Sequence, residues 1–290
     1  MTDSLNILIP RQFSADFEEN LQNLQEIGKL CTTKFESDLK DGEEVKITMP
    51  GKVTMADWNG GDLNEVETIT ATSVTVKINQ GKQVNFELQK AKEIQIANAG
   101  STAPKLIKEY SSDGLYQFRD AIDKSAGLIL AANAGYTIGT ASSPQAITKD
   151  TLISYLAKMK TKFTRGTANG TAYMAGKMLA VLPPEMIELL TQSGTFQYTE
   201  SGFTNLKDGS VAKIAGWEIV QSNNTPVSGS TYYALFGVKG ESGAIATQKS
   251  IDLIPYIREK SLNKAFKGGG LFGTAGHRSD KTGALICTLS

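Results

Sequence analysis

Cysteine and histidine are scarce in this chain. Cys31, Cys287 and His277 are the only three in 290 residues. Two cysteines near opposite ends build no disulfide framework and suit a reducing compartment. One histidine with two cysteines does not readily complete a closed zinc site. An excess of either charge is also missing, since 30 Lys and Arg balance 30 Asp and Glu. A protein that owes its affinity to neutralised phosphates carries a basic surplus, so a dedicated nucleic-acid binder is disfavoured, although a local patch remains open. No run of ~18 apolar residues exists to cross a membrane as a helix. The opening MTDSLNILIPRQF lacks the basic and apolar regions of a secretory signal. Glycine, by contrast, is abundant at 28 residues, above the usual ~7%, which points to many turns and close backbone approaches. The 40% hydrophobic and 21% charged fractions are those of a globular chain, with one large domain or two smaller ones expected.

The chain changes character along its length. From Ala15 to Glu44 there are nine acids against three bases, a balance of −6, and Phe17, Leu21, Leu24, Ile27 and Cys31 recur at helical steps. Residues 45–96 switch to period two. In ITATSVTVKINQGKQVNFELQ, Val74, Val76 and Ile78 alternate with polar residues, then Val84, Phe86 and Leu88 do the same. The pattern predicts two long strands joined by a turn at Asn79-Gln80-Gly81-Lys82. A two-stranded ribbon is marginal in water, so its apolar face needs a partner surface. A loop containing Pro104 is expected next, then a long helix over about 111–134, capped by Ser112 or Asp113, with Leu115, Phe118, Ile122, Ala126 and Ile129 as its buried stripe. Residues 136–240 read as an α/β lobe: a helix begun by Thr148, the strand MLAVL, a short helix led by Pro183-Pro184, and strands in VAKIAGWEIV and TYYALFGV. GAIATQ, SIDLIPYI and GALICTLS return to strand character, separated by the glycine-rich KAFKGGGLFGTAGHRSDKTG. Between Arg258 and Lys281 there are six bases and two acids, a balance of +4.

No catalytic, cofactor-binding or metal constellation emerges. GGGLFGTAG lacks the following helix that a dinucleotide loop requires, and Asp280 stands before Lys281-Thr282 where a phosphate loop needs glycine. His277, Ser279 and Asp280 are the residue types of a hydrolytic triad, but near neighbours on one loop rarely aim at each other, and a polar turn is the expectation. Cys31 and Cys287 fall on apolar stripes and read as buried hydrophobes. Trp58 and Trp217 read as core or subunit-contact residues rather than ligand aromatics.

The order of elements resembles the major capsid proteins of tailed bacteriophages, which have the HK97 fold. AKIAGWEIVQSNN is similar to the family's strand and Ser-Asn turn, and MLAVLPPEMIELL to its strand leading into a proline-led helix. TVKINQGKQVNFELQ resembles its extended loop, and DGLYQFRDAIDKSAGLILAANAG its spine helix. The resemblance implies an α+β fold with an N-terminal arm (1–45), an extended β-hairpin loop (46–96), a peripheral domain with the spine helix (97–135 and 241–290) and an α/β axial domain (136–240). It implies a shell subunit, not an enzyme, without cofactor or metal. Such a subunit assembles with itself into the hexamers and pentamers of an icosahedral shell around double-stranded DNA, with no sequence-specific DNA contacts and no membrane. It implies assembly in the bacterial host cytoplasm and a place in the virion capsid. A portal protein and a separate scaffolding protein are the further expected partners, the scaffold because the chain opens almost at the arm. Lys77 and Lys82 sit near the expected ribbon tip, but no residue matches the isopeptide cross-linking of some relatives. The acidic arm and the basic C-terminal stretch suggest complementary surfaces on neighbouring subunits. The competing readings are an encapsulin-type compartment shell, a soluble α/β enzyme, and another virion part such as a tail or decoration protein.

Overall fold

The computed structural model describes residues 26–37, 42–49, 51, 53, 55, 57–58, 65–88, 103–166, 177–193, 213–258 and 263–289. A short 3-10 turn, Ile27–Leu30, leads into β1 (Cys31–Thr32), followed by β2 (Glu44–Met49), β3 (Thr72–Lys77) and β4 (Gln80–Leu88). The long helix α1 spans Ala103–Ala132, then come β5 (Tyr136–Ile138), β6 (Gln145–Ile147) and α2 (Leu152–Arg165). The remainder is β7 (Met178–Leu182), α3 (Pro184–Gln192), β8 (Lys213–Ile214), β9 (Trp217–Gln221), β10 (Val227–Ser228), β11 (Thr231–Val238), β12 (Gly243–Lys249), β13 (Ile254–Ile257), β14 (Lys264–Ala275) and β15 (Thr282–Leu289). The chain divides into two units, with the boundary falling inside α1 after Asp120 and inside β14 after Leu271.

The larger unit is built on a sheet ordered β5-β15-β11-β7-β9-β8, with β10 added to β11 and β6 to β15. Its central strand β7 is buried at all five positions, as expected of a strand covered on both faces. Side chains alternate between faces, and the consequence is visible residue by residue. Met178, Ala180 and Leu182 join one core with Leu156, Met159 and Phe163 of α2, Met186 and Leu190 of α3, and Trp217. Leu179 and Val181 join a second core with Ile27, Leu30 and Cys31, Ala126 and Leu130 of α1, and Ile245. β11 splits in the same way, with Ala234 and Phe236 in the first core and Leu235 in the second. The lobe is therefore three-layered, with helices on both faces of one sheet. Pro184 occupies the first turn of α3, where its missing N–H costs no bond. β8 and β9 join through Ala215 and Gly216, whose φ angles of 51° and 82° suit a two-residue hairpin turn.

In the smaller unit, β13 runs antiparallel to the first half of β14, Ile254 facing Lys267 and Ile257 facing Lys264. Phe86 of β4 stacks on Phe266 and meets Tyr110 edge-on, each with centroids 5.2 Å apart. Arg258 reaches Glu87 at 2.7 Å and the Tyr256 hydroxyl donates to Asn85 at 3.2 Å.

Four sequence expectations change. The helix expected from about Ser111 begins at Ala103, because Pro104 is tolerated in a first turn and starts the helix instead of breaking it; Ser112 and Asp113 lie inside it and cap nothing. The two strands expected to pair with each other do not. β3 pairs antiparallel with β2, Val76 opposite Val45 and Val74 opposite Ile47, while β4 pairs with β14. Alternation fixes which face a residue occupies but not which strand lies beside it. The glycine-rich basic stretch is not a loop but the twelve-residue strand β14. Its glycines admit close neighbours: a Cβ at Gly270 would lie 2.5 Å from the Phe118 ring, and one at Gly273 would lie 2.0 Å from the Lys77 carbonyl oxygen. The helix begun by Thr148 opens three residues later, with Thr151 at the N-cap position and the Thr148 carbonyl accepting from the Leu152 N–H at 3.1 Å.

Candidate assembly surfaces

The groups capable of chemistry are dispersed or inert. Cys31 and Cys287 are buried, and burial pushes both thiols up to about 12, with Asp123 adding to the effect at Cys31. Neither is a thiolate nucleophile at neutral pH. His277, Ser279 and Asp280 do not converge. Asp280 is held by Arg278 in a two-pronged contact at 2.8 and 2.7 Å, which keeps its carboxyl below the ordinary range. His277 packs edge-on against Phe35, ring centroids 5.8 Å apart, and partial burial together with Arg278 and Lys281 lowers its pKa. Trp217 is fully buried, donates from Nε1 to the Leu156 carbonyl at 3.1 Å, and meets Phe163 and Phe236 edge-on; it is a core residue. Among the described residues no group of three or more His, Cys, Asp or Glu is placed to hold a metal ion, and no helix is long and apolar enough to cross a membrane.

The apolar surface tells more. The β2–β3 ladder buries only Ile47 and Val76, against Ala244 and Ala246. The connection beyond it carries large apolar side chains in water: Val53 is 74% exposed, Met55 96%, Trp58 70% and Val66 95%. Among the described residues the only other stretch with more than one exposed large hydrophobic is β13, where Ile254 and Ile257 face water. A cluster like that of the loop marks an interaction surface. Trp58, expected from the sequence to be a core or subunit-contact residue, is exposed and so not part of the core. The signal for Val53 and Met55 was available in the apolar residues of GKVTMADWNGG, to which the sequence reading assigned no strand.

The proposed acidic and basic surfaces are partly used within the chain. Glu26 pairs with Lys29, Glu36 accepts the Thr247 N–H at 3.0 Å, and Glu44 pairs with Lys77 at 2.9 Å. On the basic side Arg258, Arg278 and Lys281 pair with Glu87, Asp280 and Glu241. Asp16, Glu18, Glu19, Asp38 and Asp41 lie outside the described residues, as does the arm helix expected around Phe17–Leu24.

No protein-family model and no curated protein sequence matches the chain. Solved structures do. A chain of Mycobacterium phage Che8 is similar with a TM-score of 0.77 at 19% identity, covering 95% of this chain and 96% of that one. The capsid structure of cyanophage P-SCSP1u gives a TM-score of 0.77 at 13% identity, over 100% and 96%. The capsid of Myoviridae phage XM1 gives 0.65 at 12% identity, over 99% of both chains. The likeness thus runs end to end, and the chain has the α+β, HK97-like fold of phage capsid proteins.

Proposed function

We propose that this chain is the major capsid protein of a tailed bacteriophage, a structural subunit rather than an enzyme, that assembles with itself into the hexamers and pentamers of an icosahedral shell around double-stranded DNA. The observation that carries the reading is the end-to-end likeness to phage capsid structures. The physical reason to expect assembly is the β2–β3 loop, which exposes Val53, Met55, Trp58 and Val66 and so presents apolar surface that another copy would cover. On this reading residues 1–45 are the arm, 46–96 the extended loop, 97–135 with 241–290 the peripheral domain, and 136–240 the axial domain. The three-layered lobe around β7 lies mostly in the axial domain. A scaffolding protein and a portal are the further partners, assembly takes place in the host cytoplasm, and the product is the virion capsid.

The test is negative-stain electron microscopy of the purified protein, expressed alone and with the product of the gene upstream of its own. Closed shells, or rings of five and six, are expected, and shells from infected cells should contain nuclease-protected DNA. Shells filled instead with a cargo protein would make this a compartment shell. A discrete monomer under both conditions would overturn the reading.

A further inference from the structure

Residues 123–125 of α1 hold the chain at two points from which, on the capsid reading, it leaves to meet other copies. The first is the end of the arm. Asp123 is 3% exposed, and its Oδ1 accepts the N–H of Gly28 at 2.8 Å. That N–H belongs to the first turn of the 3-10 segment Ile27–Leu30, where a helix leaves donors without intrahelical acceptors. The second is the base of the extended ladder. Ser125 Oγ accepts the Nε2–H of Gln80 at 2.8 Å and exchanges a hydrogen bond with Thr274 Oγ1 at 2.8 Å. Gln80 lies three residues beyond the end of β3 and opens β4. Asp123 also binds across to the sheet, its Oδ2 accepting from Asn224 Nδ2 at 3.1 Å. That asparagine closes the turn after β9, where Ser222 Oγ accepts the Asn224 N–H at 3.2 Å. Gly127 lets this turn and Ile27 come close, since a Cβ there would lie 3.0 Å from Ile27 Cδ1 and 3.3 Å from the Asn224 carbonyl oxygen.

The surroundings of this cluster are apolar: Ile27, Leu30, Ala126, Leu130 and Ile245 form the adjoining core. A carboxylate buried in such a place costs free energy unless its hydrogen bonds are made, and well-packed apolar residues commonly serve stability as well or better. What a polar cluster adds is a defined register, because its bonds can be made in one arrangement only.

We propose that Asp123 and Ser125 are positioning residues for assembly. They fix the departure points of the arm and of the extended ladder on the same turn of α1, so both reaching segments are registered by one element. The inference rests on the capsid reading and deepens it.

The test compares shell formation with subunit stability. Asp123→Asn presents an amide N–H to either Gly28 N–H or Asn224 Nδ2–H and so loses one bond. The exchange Asp123→Asn with Asn224→Asp restores both, because the new amide accepts from Gly28 and donates to the new carboxylate. Ser125→Ala releases Gln80 and Thr274. Met159→Ala, in the core on the other face of the sheet, serves as a control for lost stability alone. Each is expressed as the wild-type chain is, with closed shells quantified by sedimentation and electron microscopy, and the Tm of the unassembled subunit measured. D123N is expected to lower closed-shell yield by about tenfold relative to the control at equal loss of Tm, as one lost buried hydrogen bond per subunit would, and S125A, which loses two, by at least as much, with misclosed or tubular products. The double exchange should recover the yield. Yields that follow Tm alone, control included, or a double exchange no better than D123N, would overturn the proposal while leaving the capsid reading intact. If the wild-type chain forms no shells, the capsid reading itself falls and the inference with it.

Discussion

The central strand β7 and the β2–β3 ladder differ in how much of their surroundings the chain itself supplies. β7 is five residues long, buried at every position, and serves two cores at once. The ladder pairs six residues with six, yet buries one side chain from each strand and leads into a connection with Met55 and Val66 almost wholly in water. The first is finished within one chain. The second leaves large apolar side chains in water, and on the proposed function another copy covers them.

That contrast predicts a graded set of responses. The largest belongs to the finished region. Trp217→Ala removes a ring in contact with Phe163 and Phe236 and a bond to the Leu156 carbonyl, and is expected to cost about 3–5 kcal/mol in denaturant unfolding of the subunit. Gly270→Ala comes next. Its Cβ would meet the Phe118 ring at 2.5 Å, an overpacking expected to cost about 1–3 kcal/mol; an unchanged unfolding midpoint would mean that the ring has room to shift. A smaller effect attends His277. Its pKa is lowered in the fold, by partial burial first and then by Arg278 and Lys281, from an ordinary 6.5. The unfolded chain therefore binds the proton more readily, and stability falls as the pH drops below the unfolded value, levelling off below the folded one. Unfolding curves between neutral and acid pH should show that decline, and His277→Asn should remove its share of it. The smallest effect on subunit stability comes from the loop: Met55→Ser with Trp58→Ser should leave unfolding within about 0.5 kcal/mol of the wild type. The same pair should abolish closed shells, as counted by electron microscopy. Shells formed at the normal yield would mean that the loop covers nothing.

Much of this organisation was legible in the sequence, and the losses have identifiable physical origins. The buried run MLAVL, followed by two prolines, marked β7 and α3 because a strand covered on both faces has no polar side to confuse its pattern. Trp217 and the two cysteines were read as core residues, and they are. Strand partners were not legible: Val74 and Val76 announced a face, while their partners in β2, Ile47 and Val45, are 27 and 31 positions away. Nor was β14. Three consecutive glycines, Gly268 to Gly270, lack the side chains by which a strand is recognised, and the reason for their smallness lies on Phe118 of α1 and elsewhere in the fold. The cluster around Asp123 was invisible for a similar reason. An aspartate in an amphipathic helix is indistinguishable from a solvated one until the fold brings Gly28 and Asn224 to it.

The two-stranded ladder also sets a clock on the free subunit. Among the described residues β2 and β3 have no further strands beside them, so each is an edge strand within that set. Such an edge is a template for adding strands, and here it adjoins Val53, Met55 and Trp58. A subunit waiting in solution faces a race between correct closure and indiscriminate stacking, and the stacking route steepens with concentration. On the proposed function, production of the chain in time and amount therefore matters as much as its stability, because an excess over its partners favours stacking over shells.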